Sequence, residues 1–171
     1  KCKLVEMKSK KIIISGPPGS GKTSIIQELK KYDFECFDEI TPSVSDLSNK
    51  LNLSTMLFNK RKKHFEVESK KIIFFDRSLI DVIAYMRYWK LEYPNEWELF
   101  VEENRYNKKV IYFPSWQNIY IQTKVRHEKF REAKKIDSVL KKTYMDFKYD
   151  LIEVPKTSID QRLKFILNSI K

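Results

Sequence analysis

The chain has 171 residues, with 34 Lys and Arg against 23 Asp and Glu and a formal net charge of +11. That length suits one domain with a core able to stand alone. No apolar run approaches the ~18 residues of a membrane span, and two cysteines, Cys2 and Cys36, are too few for a disulfide framework or a metal cluster. The composition predicts a soluble protein of a reducing cytoplasm with no membrane partner.

The positive charge raises a nucleic-acid reading, since Lys and Arg clusters bind phosphate backbones without regard to sequence. Here the lysines are spread among Ile, Asn, Tyr and Phe, and the aromatics do not interleave with the basic runs. The charge reads as solvated surface, part of which focuses an anionic small molecule toward a site. No nucleic-acid partner is expected, and a homodimer is left open.

In chain order, Met7-Lys8-Ser9-Lys10-Lys11 looks like a natural start, which makes residues 1–8 a flexible N-terminal extension. Lys11-Ile12-Ile13-Ile14-Ser15 has the pattern of a strand buried on both faces of a parallel sheet. All three glycines then fall within Gly16-Pro17-Pro18-Gly19-Ser20-Gly21-Lys22-Thr23, whereas average usage of ~7 % would spread about a dozen along the chain. The segment fits G-x-x-x-x-G-K-[ST] at every fixed position. Backbone amides must turn inward around anionic oxygens there, and a β-carbon obstructs both the angles and the approach. From Thr23 to Tyr32 a helix is predicted, with Ile25, Ile26 and Leu29 on its apolar face. Phosphates would sit at its N-terminus, where free amides and the dipole favour negative charge. The loop and Ser24 are therefore the expected ATP-binding residues, with Lys22 bridging β- and γ-phosphate oxygens and the Thr23 hydroxyl on Mg²⁺.

Glu35-Cys36-Phe37 predicts a brief second strand, with Asp38 and Glu39 at its C-terminal end and Pro42 closing the turn. From about Ser43 to Lys70 the pattern is helical, with Leu47, Leu51, Leu57, Phe58 and Phe65 as its apolar stripe and Asn52-Leu53-Ser54 a candidate break. Lys71-Ile72-Ile73-Phe74-Phe75 is a third strand and ends at Asp76-Arg77-Ser78. Helices are predicted from Leu79 to Lys90 and from Pro94-Asn95 to about Asn107. A fourth strand, Lys109-Val110-Ile111-Tyr112-Phe113, stops at Pro114; a charged segment over 121–135 leads into a helix from about Glu132 to Phe147. Tyr149 to Val154 is a fifth strand, and Ser158 caps a final helix. Strands alternating with helices define an α/β fold, a three-layer, doubly wound, parallel five-stranded sheet of the P-loop NTPase, kinase-like type. Ligands in such sheets bind at the strands' C-terminal ends.

That rule brings Asp38, Glu39, Asp76 and Arg77 to the same edge as the phosphate loop. Asp76 is placed to hold Mg²⁺ through water opposite Thr23, or else to cap the next helix. Arg77 offers its planar fork to a transferring or acceptor phosphate, or pairs with a neighbouring carboxylate. Glu39 is a candidate base for an acceptor hydroxyl, with Asp38 its rival and a plain loop carboxylate the alternative for either. Arg126 and Arg131, with Lys124, Lys129, Lys134 and Lys135, occupy the place of a closing lid whose arginines would stabilise transferred charge. Mixed with Glu128, Glu132 and Asp137 at helical spacing, they also describe a solvated helix face. Trp89, Trp97, Trp116 and Tyr112 read as core or rim aromatics, and His64 and His127 as surface residues.

With these residues in view, the chain resembles the small bacterial AAA-type ATP-binding proteins related to P-loop nucleoside and nucleotide kinases, including nicotinamide-riboside-kinase-like and thymidylate-kinase-like domains. Besides the glycine loop, Phe75-Asp76-Arg77-Ser78 is similar to their Asp/Glu-Arg-Ser/Tyr signature and Phe113-Pro114-Ser115-Trp116 to their Pro-Pro-Trp. Arg126-His127-Glu128 through Tyr144, Glu153-Val154-Pro155 and Gln161-Arg162 follow the C-terminal pattern. The resemblance implies that Glu39 matches the carboxylate acting as base in deoxynucleoside kinases and that Pro155-Lys156 lies near the adenine. The chain departs from the pattern at Ile40-Thr41-Pro42-Ser43, which lacks the arginine that often follows that glutamate, and at Thr123, where an acid is common.

The leading expectation is therefore a Mg-ATP-dependent phosphotransferase with a small hydroxylated or phosphorylated acceptor. An ATPase with a regulatory or partner-binding output is the alternative, and a basic nucleic-acid-binding module the third. A Ras-like switch lacks its Asn-Lys-x-Asp, and an oligomeric AAA motor would need Glu, not Arg77, after Asp76.

Overall fold

The central strand is β1 (Lys11–Ser15), whose Ile12, Ile13 and Ile14 are buried on both faces. In this computed structural model, residues 10–42, 49–121 and 129–170 are described. After β1 come α1 (Lys22–Lys31), β2 (Glu35–Phe37), α2 (Lys50–Phe65), β3 (Ile73–Asp76), α3 (Leu79–Trp89), α4 (Asn95–Glu103), β4 (Lys109–Tyr112), α5 (Phe130–Asp146), β5 (Asp150–Glu153) and α6 (Ile159–Ser169). The strands form one parallel sheet in the order β2-β3-β1-β4-β5.

Side chains alternate across each strand, so two cores form on opposite faces. Ile13, Phe75, Val110 and Tyr112 pack with α2, α3, α4 and α5. Ile12, Ile14, Phe74 and Ile111 pack with Ile25, Ile26 and Leu29 of α1 and Leu163 and Ile166 of α6. The result is the expected three-layer, doubly wound sheet. The chain leaves β1 toward β2 on one side and later crosses to β4 on the other, so the strand order reverses at the C-terminal end of β1, where such sheets open a crevice.

Local departures from the sequence reading have physical causes. Asn52-Leu53-Ser54 does not break α2: Asn49 caps that helix by accepting from Asn52 N at 3.0 Å, and Leu53 and Ser54 are buried. The α2 stripe accordingly runs through Leu53, Phe58 and Phe65, leaving Leu51 42 % exposed. Asp76 does not cap α3, because Ser78 does, in a capping box closed by Asp81. The helix after Pro94 ends at Glu103 rather than near Asn107, which frees Tyr106 to bury itself in the core. The segments 1–8 and 43–48, with Leu47, and Cys2, Thr123, Lys124, Arg126, His127 and Glu128 lie outside the described residues. None of the described helices is long and apolar enough to cross a membrane.

Candidate active site

The loop between β1 and α1 needs glycine for two different reasons. Gly16 has φ +147°, and a β-carbon there would lie 2.2 Å from the Phe113 carbonyl oxygen, a backbone atom that cannot step aside. Gly21 has φ +89° and stands in the left-handed region as the N-cap of α1, with no side chain capping the helix. The first turn of α1 carries no acidic residue, so its free amides and positive dipole end face the crevice uncompensated. Ser20 Oγ donates to Pro17 O at 2.9 Å and fixes the loop's curl.

Lys22 is 4 % exposed, and its ammonium donates to Gly16 O and Pro17 O, each at 2.9 Å, and to Ser20 Oγ at 3.2 Å. Burial lowers its pKa to about 8, with the charge of Arg77 adding to the effect and Asp76 and Glu39 opposing it. A cation held this way is poised to exchange neutral carbonyls for anionic oxygens.

The end of β3 supplies the facing wall. Asp76 pairs in register with Ile14 and is 5 % exposed, and its Oδ1 has no hydrogen-bond partner among the described residues. Burial raises its carboxyl, with Lys22 working against the rise. Arg77 follows at φ +72°, a conformation that costs a residue with a β-carbon about 1 kcal/mol. Its own N–H donates to Ile14 O at 2.9 Å and holds it there. Nε of Arg77 donates to Glu39 Oε1 at 2.5 Å, Nη1 to Gly16 O at 3.2 Å, and Nη1 lies 3.5 Å from Asp81 Oδ1. The guanidinium also sits 5.7 Å from the centre of the Tyr85 ring.

Asp81, fully buried, is the anchor behind Arg77. Its carboxylate accepts from Ser15 Oγ at 2.6 Å, Ser78 N at 2.8 Å, Ser78 Oγ at 3.1 Å and Tyr144 Oη at 2.5 Å. The network ties β1, α3 and α5 together directly beneath the loop.

The two rival carboxylates separate in space. Asp38 is exposed and pairs with Lys30 at 2.6 Å on the outer surface. Glu39 lines the cleft. Burial alone would raise its carboxyl, but the charges of Arg77 and Lys22 outweigh that and hold it at about 2, with Arg61 contributing further. Arg61 reaches in from α2 and donates to Ser78 O at 3.0 Å.

The cleft encloses about 760 Å³ and runs across the strand ends. On the β2 and β3 side of the loop lie Glu39, Thr41, Arg77 and Tyr85; on the β4 and β5 side lie Ile119, Ile159 and Arg162. Pro18 to Ser24 form the floor between them. Pro155 is exposed at the end of β5 and is not among the lining residues, a place taken by Ile159 and Arg162. Arg131 is exposed in the first turn of α5, also outside the lining, and Arg126 lies outside the described residues. A second concavity of about 740 Å³ between α1 and α6, lined by Tyr32, Phe34, Leu163 and Leu167, shares no residue with the cleft.

Sequence reasoning overlooked Arg61, Asp81, Tyr85 and Arg162 as site residues. Ser-x-x-Asp after the third strand carried a legible capping-box signal, and Arg162 stood in a family pattern without a role. Nothing in the spacing of Arg61 or Tyr85 announced that α2 and α3 would lean over the loop.

The parallel sheet with its phosphate loop and acidic strand end makes this a protein of the P-loop, kinase-like fold. The model of the AAA domain family matches residues 11–162, and the chain belongs to that family. Among solved structures, deoxyadenosine kinase from M. mycoides with bound dATP is similar at TM-score 0.70 and 18 % identity, over 94 % of this chain and 98 % of that one. Thymidylate kinase from Ehrlichia chaffeensis matches at TM-score 0.67 and 14 % identity, over 96 % of this chain and 100 % of that one. YorR protein from Bacillus subtilis in complex with phosphorylated GDP matches at TM-score 0.64 and 16 % identity, over 94 % and 95 % of the two chains. At such identities the likeness establishes the fold. No curated protein sequence matches the chain.

Proposed function

We propose that this protein is a Mg-ATP-dependent phosphotransferase that moves a phosphoryl group from ATP to a small, nucleoside-like or otherwise hydroxylated acceptor. The observation carrying this reading is that Glu39 and Arg77 line the same cleft as the phosphate loop, on the side away from the apolar residues Ile119 and Ile159. A carboxylate and an anion-binding guanidinium facing the phosphate loop meet the needs of a second, hydroxyl-bearing substrate; hydrolysis places water against the same kind of pair, and the acceptor panel below separates the two.

In this reading the amides of Gly19 to Ser24 and the Lys22 ammonium take the β- and γ-phosphates. Mg²⁺ fits the residues present: it keeps most of its waters and needs one or two carboxylates, and Asp76 Oδ1 is buried without a hydrogen-bond donor while Thr23 lines the same floor. Bound there, the ion would neutralise phosphate charge. Glu39 accepts the proton of the acceptor hydroxyl. It is ionised at neutral pH, and the low proton affinity that Arg77 and Lys22 impose against the effect of burial suits a late transfer, from a hydroxyl already acidified by bond formation to the phosphoryl group. Arg77, fixed between Glu39 and Asp81, stabilises the phosphoryl group in flight. Arg126 and Arg131 would complete the site as lid residues and exclude water. The similar structures, a deoxyadenosine kinase and a thymidylate kinase, support a nucleoside or nucleotide acceptor.

Membership in the AAA domain family favours one second reading, ATP hydrolysis with a conformational or partner-binding output. Incubation with Mg-ATP and a nucleoside, nucleotide and sugar panel separates the two, with ADP release and phosphorylated product followed together. Product from one acceptor class supports the transferase; acceptor-independent ADP release that Lys22→Ala abolishes supports the ATPase. Nucleic-acid binding unaffected by ATP and abolished by moderate salt would mark surface charge alone.

A further inference from the structure

The arginines buried around the cleft are not treated alike. Arg77 is paired with Glu39 and Asp81; Arg61 donates to the Ser78 carbonyl and its Nε also lacks a partner among the described residues, but Arg61 does not line the cleft, whereas Arg162 does. Arg162, in the first turn and a half of α6, is only 6 % exposed, yet its Nη1 has no hydrogen-bond partner among the described residues. Its Nε reaches the Ser158 carbonyl at a long 3.4 Å, and its guanidinium lies 5.5 Å from the centre of the Trp116 ring. No charge opposes the burial that lowers its pKa. A cation stripped of water is costly unless an anion meets it, and here no carboxylate among the described residues does.

The direction of the unpaired group is informative. Nη1 lies 2.6 Å from where a β-carbon on Gly21 would stand, so it presses on the glycine that opens α1, against the helix end that favours anions. Ile119 approaches the same point at 3.1 Å. Strand order sets Arg162 across the loop from Glu39 and Arg77. A nucleotide whose terminal phosphate faces Glu39 therefore presents its first phosphate, the one nearest the nucleoside, to Arg162, with Ile119 and Ile159 left to meet the ribose and base.

We infer that Arg162 is a ligand of the donor nucleotide, its free guanidinium N–H bonding the α-phosphate from the β5 side of the loop. This rests on the nucleotide-binding reading above. The planar fork matches phosphate geometry, and the Trp116 ring, within cation–π range at 5.5 Å, limits the rotamer freedom lost on binding.

The test is calorimetric titration of the full chain with ADP and with ATP, in the wild type, Lys22→Ala, Arg162→Met and Arg162→Lys. Arg162→Met should bind both nucleotides about 10- to 100-fold more weakly. Its ADP affinity should also depend less on salt, while the melting temperature without nucleotide stays near the wild type's. Arg162→Lys should recover part of the affinity, because it keeps the charge and loses the fork, and it serves equally if the Met variant does not fold. Should Arg162→Met or Arg162→Lys bind ADP as tightly as the wild type while Lys22→Ala loses it, Arg162 is a strut for Trp116 and the inference fails alone. A wild type that binds neither nucleotide overturns the inference together with the functional reading beneath it.

Discussion

Nε of Arg77 donates to Glu39 Oε1 at 2.5 Å on one wall of the cleft, joining residues that follow two adjacent strands. The contact keeps the Glu39 carboxyl at about 2, against an ordinary 4.5, even though burial alone would push it the other way. The pair thus stores an ionised carboxylate and an oriented guanidinium in one place.

A depressed carboxyl contributes stability that is complete above its unfolded pKa and lost as pH falls through the folded one. Wild-type melting temperature should therefore fall between about pH 4.5 and pH 2, and Glu39→Gln should flatten that part of the profile. Since 43 % of the Glu39 side chain is open to solvent, screening keeps the effect small. In activity, Glu39→Gln should slow transfer roughly 10²- to 10⁴-fold with little change in ATP affinity, measured by steady-state kinetics and titration.

Lys22 behaves in the opposite sense. Its folded pKa of about 8 lies below the ordinary 10.5, so the unfavourable burial is complete below about pH 8 and is relieved as pH rises toward 10.5. That shift is a net cost of keeping Lys22 charged in the folded protein, its hydrogen bonds to Gly16 O and Pro17 O notwithstanding. Lys22→Met should consequently stabilise the nucleotide-free protein at neutral pH by about 1 kcal/mol in urea denaturation, while abolishing nucleotide binding.

Asp81 accepts four hydrogen bonds and faces Arg77, all out of contact with solvent. Asp81→Asn leaves Arg77 short of an anion and turns an amide donor onto the donors of Ser78 and Tyr144. A loss of about 3 kcal/mol or more in unfolding free energy is expected. Tyr144→Phe removes the hydroxyl's bonds to Asp81 and to Ser78 Oγ but leaves the buried carboxylate its other donors, and should cost about 1–3 kcal/mol. Urea midpoints of the two variants check the ranking.

Two glycines in one loop should respond differently to alanine. At Gly16 the β-carbon meets backbone at 2.2 Å; at Gly21 it meets the tip of the Arg162 side chain at 2.6 Å, which can move. Gly16→Ala should be the more destabilising in thermal unfolding, whereas Gly21→Ala should cost about 1–2 kcal/mol for its left-handed backbone and lose ADP affinity.

The fold was legible because its signals are local. β-branched runs such as Ile12-Ile13-Ile14 mark buried parallel strands, and the glycine loop announces its own strand and helix. The site was legible as far as topology carries: Asp76, Arg77 and Glu39 end strands, and parallel strands share an edge. Residue pattern alone left Asp38 a rival of Glu39, and only the resemblance favoured Glu39, since adjacent residues past a strand end point opposite ways and local spacing does not say which meets Arg77. Asp81 carried a capping-box signal, and Tyr144 and Arg162 stood in a family pattern, but what the three do at the site was hidden for a related reason. Their roles come from helices packing over the loop, a tertiary outcome that no window of sequence encodes.

The measurement that bears most directly on the central claim is mass detection of product after incubation with Mg-ATP and a nucleoside and nucleotide panel, alongside Glu39→Gln. The account predicts one acceptor class gaining a single phosphoryl group, with ADP formed in equal amount, and a Glu39→Gln variant that binds ATP but transfers roughly 10²-fold or more slowly. ADP release at one rate with or without any acceptor, unchanged in Glu39→Gln, would contradict it.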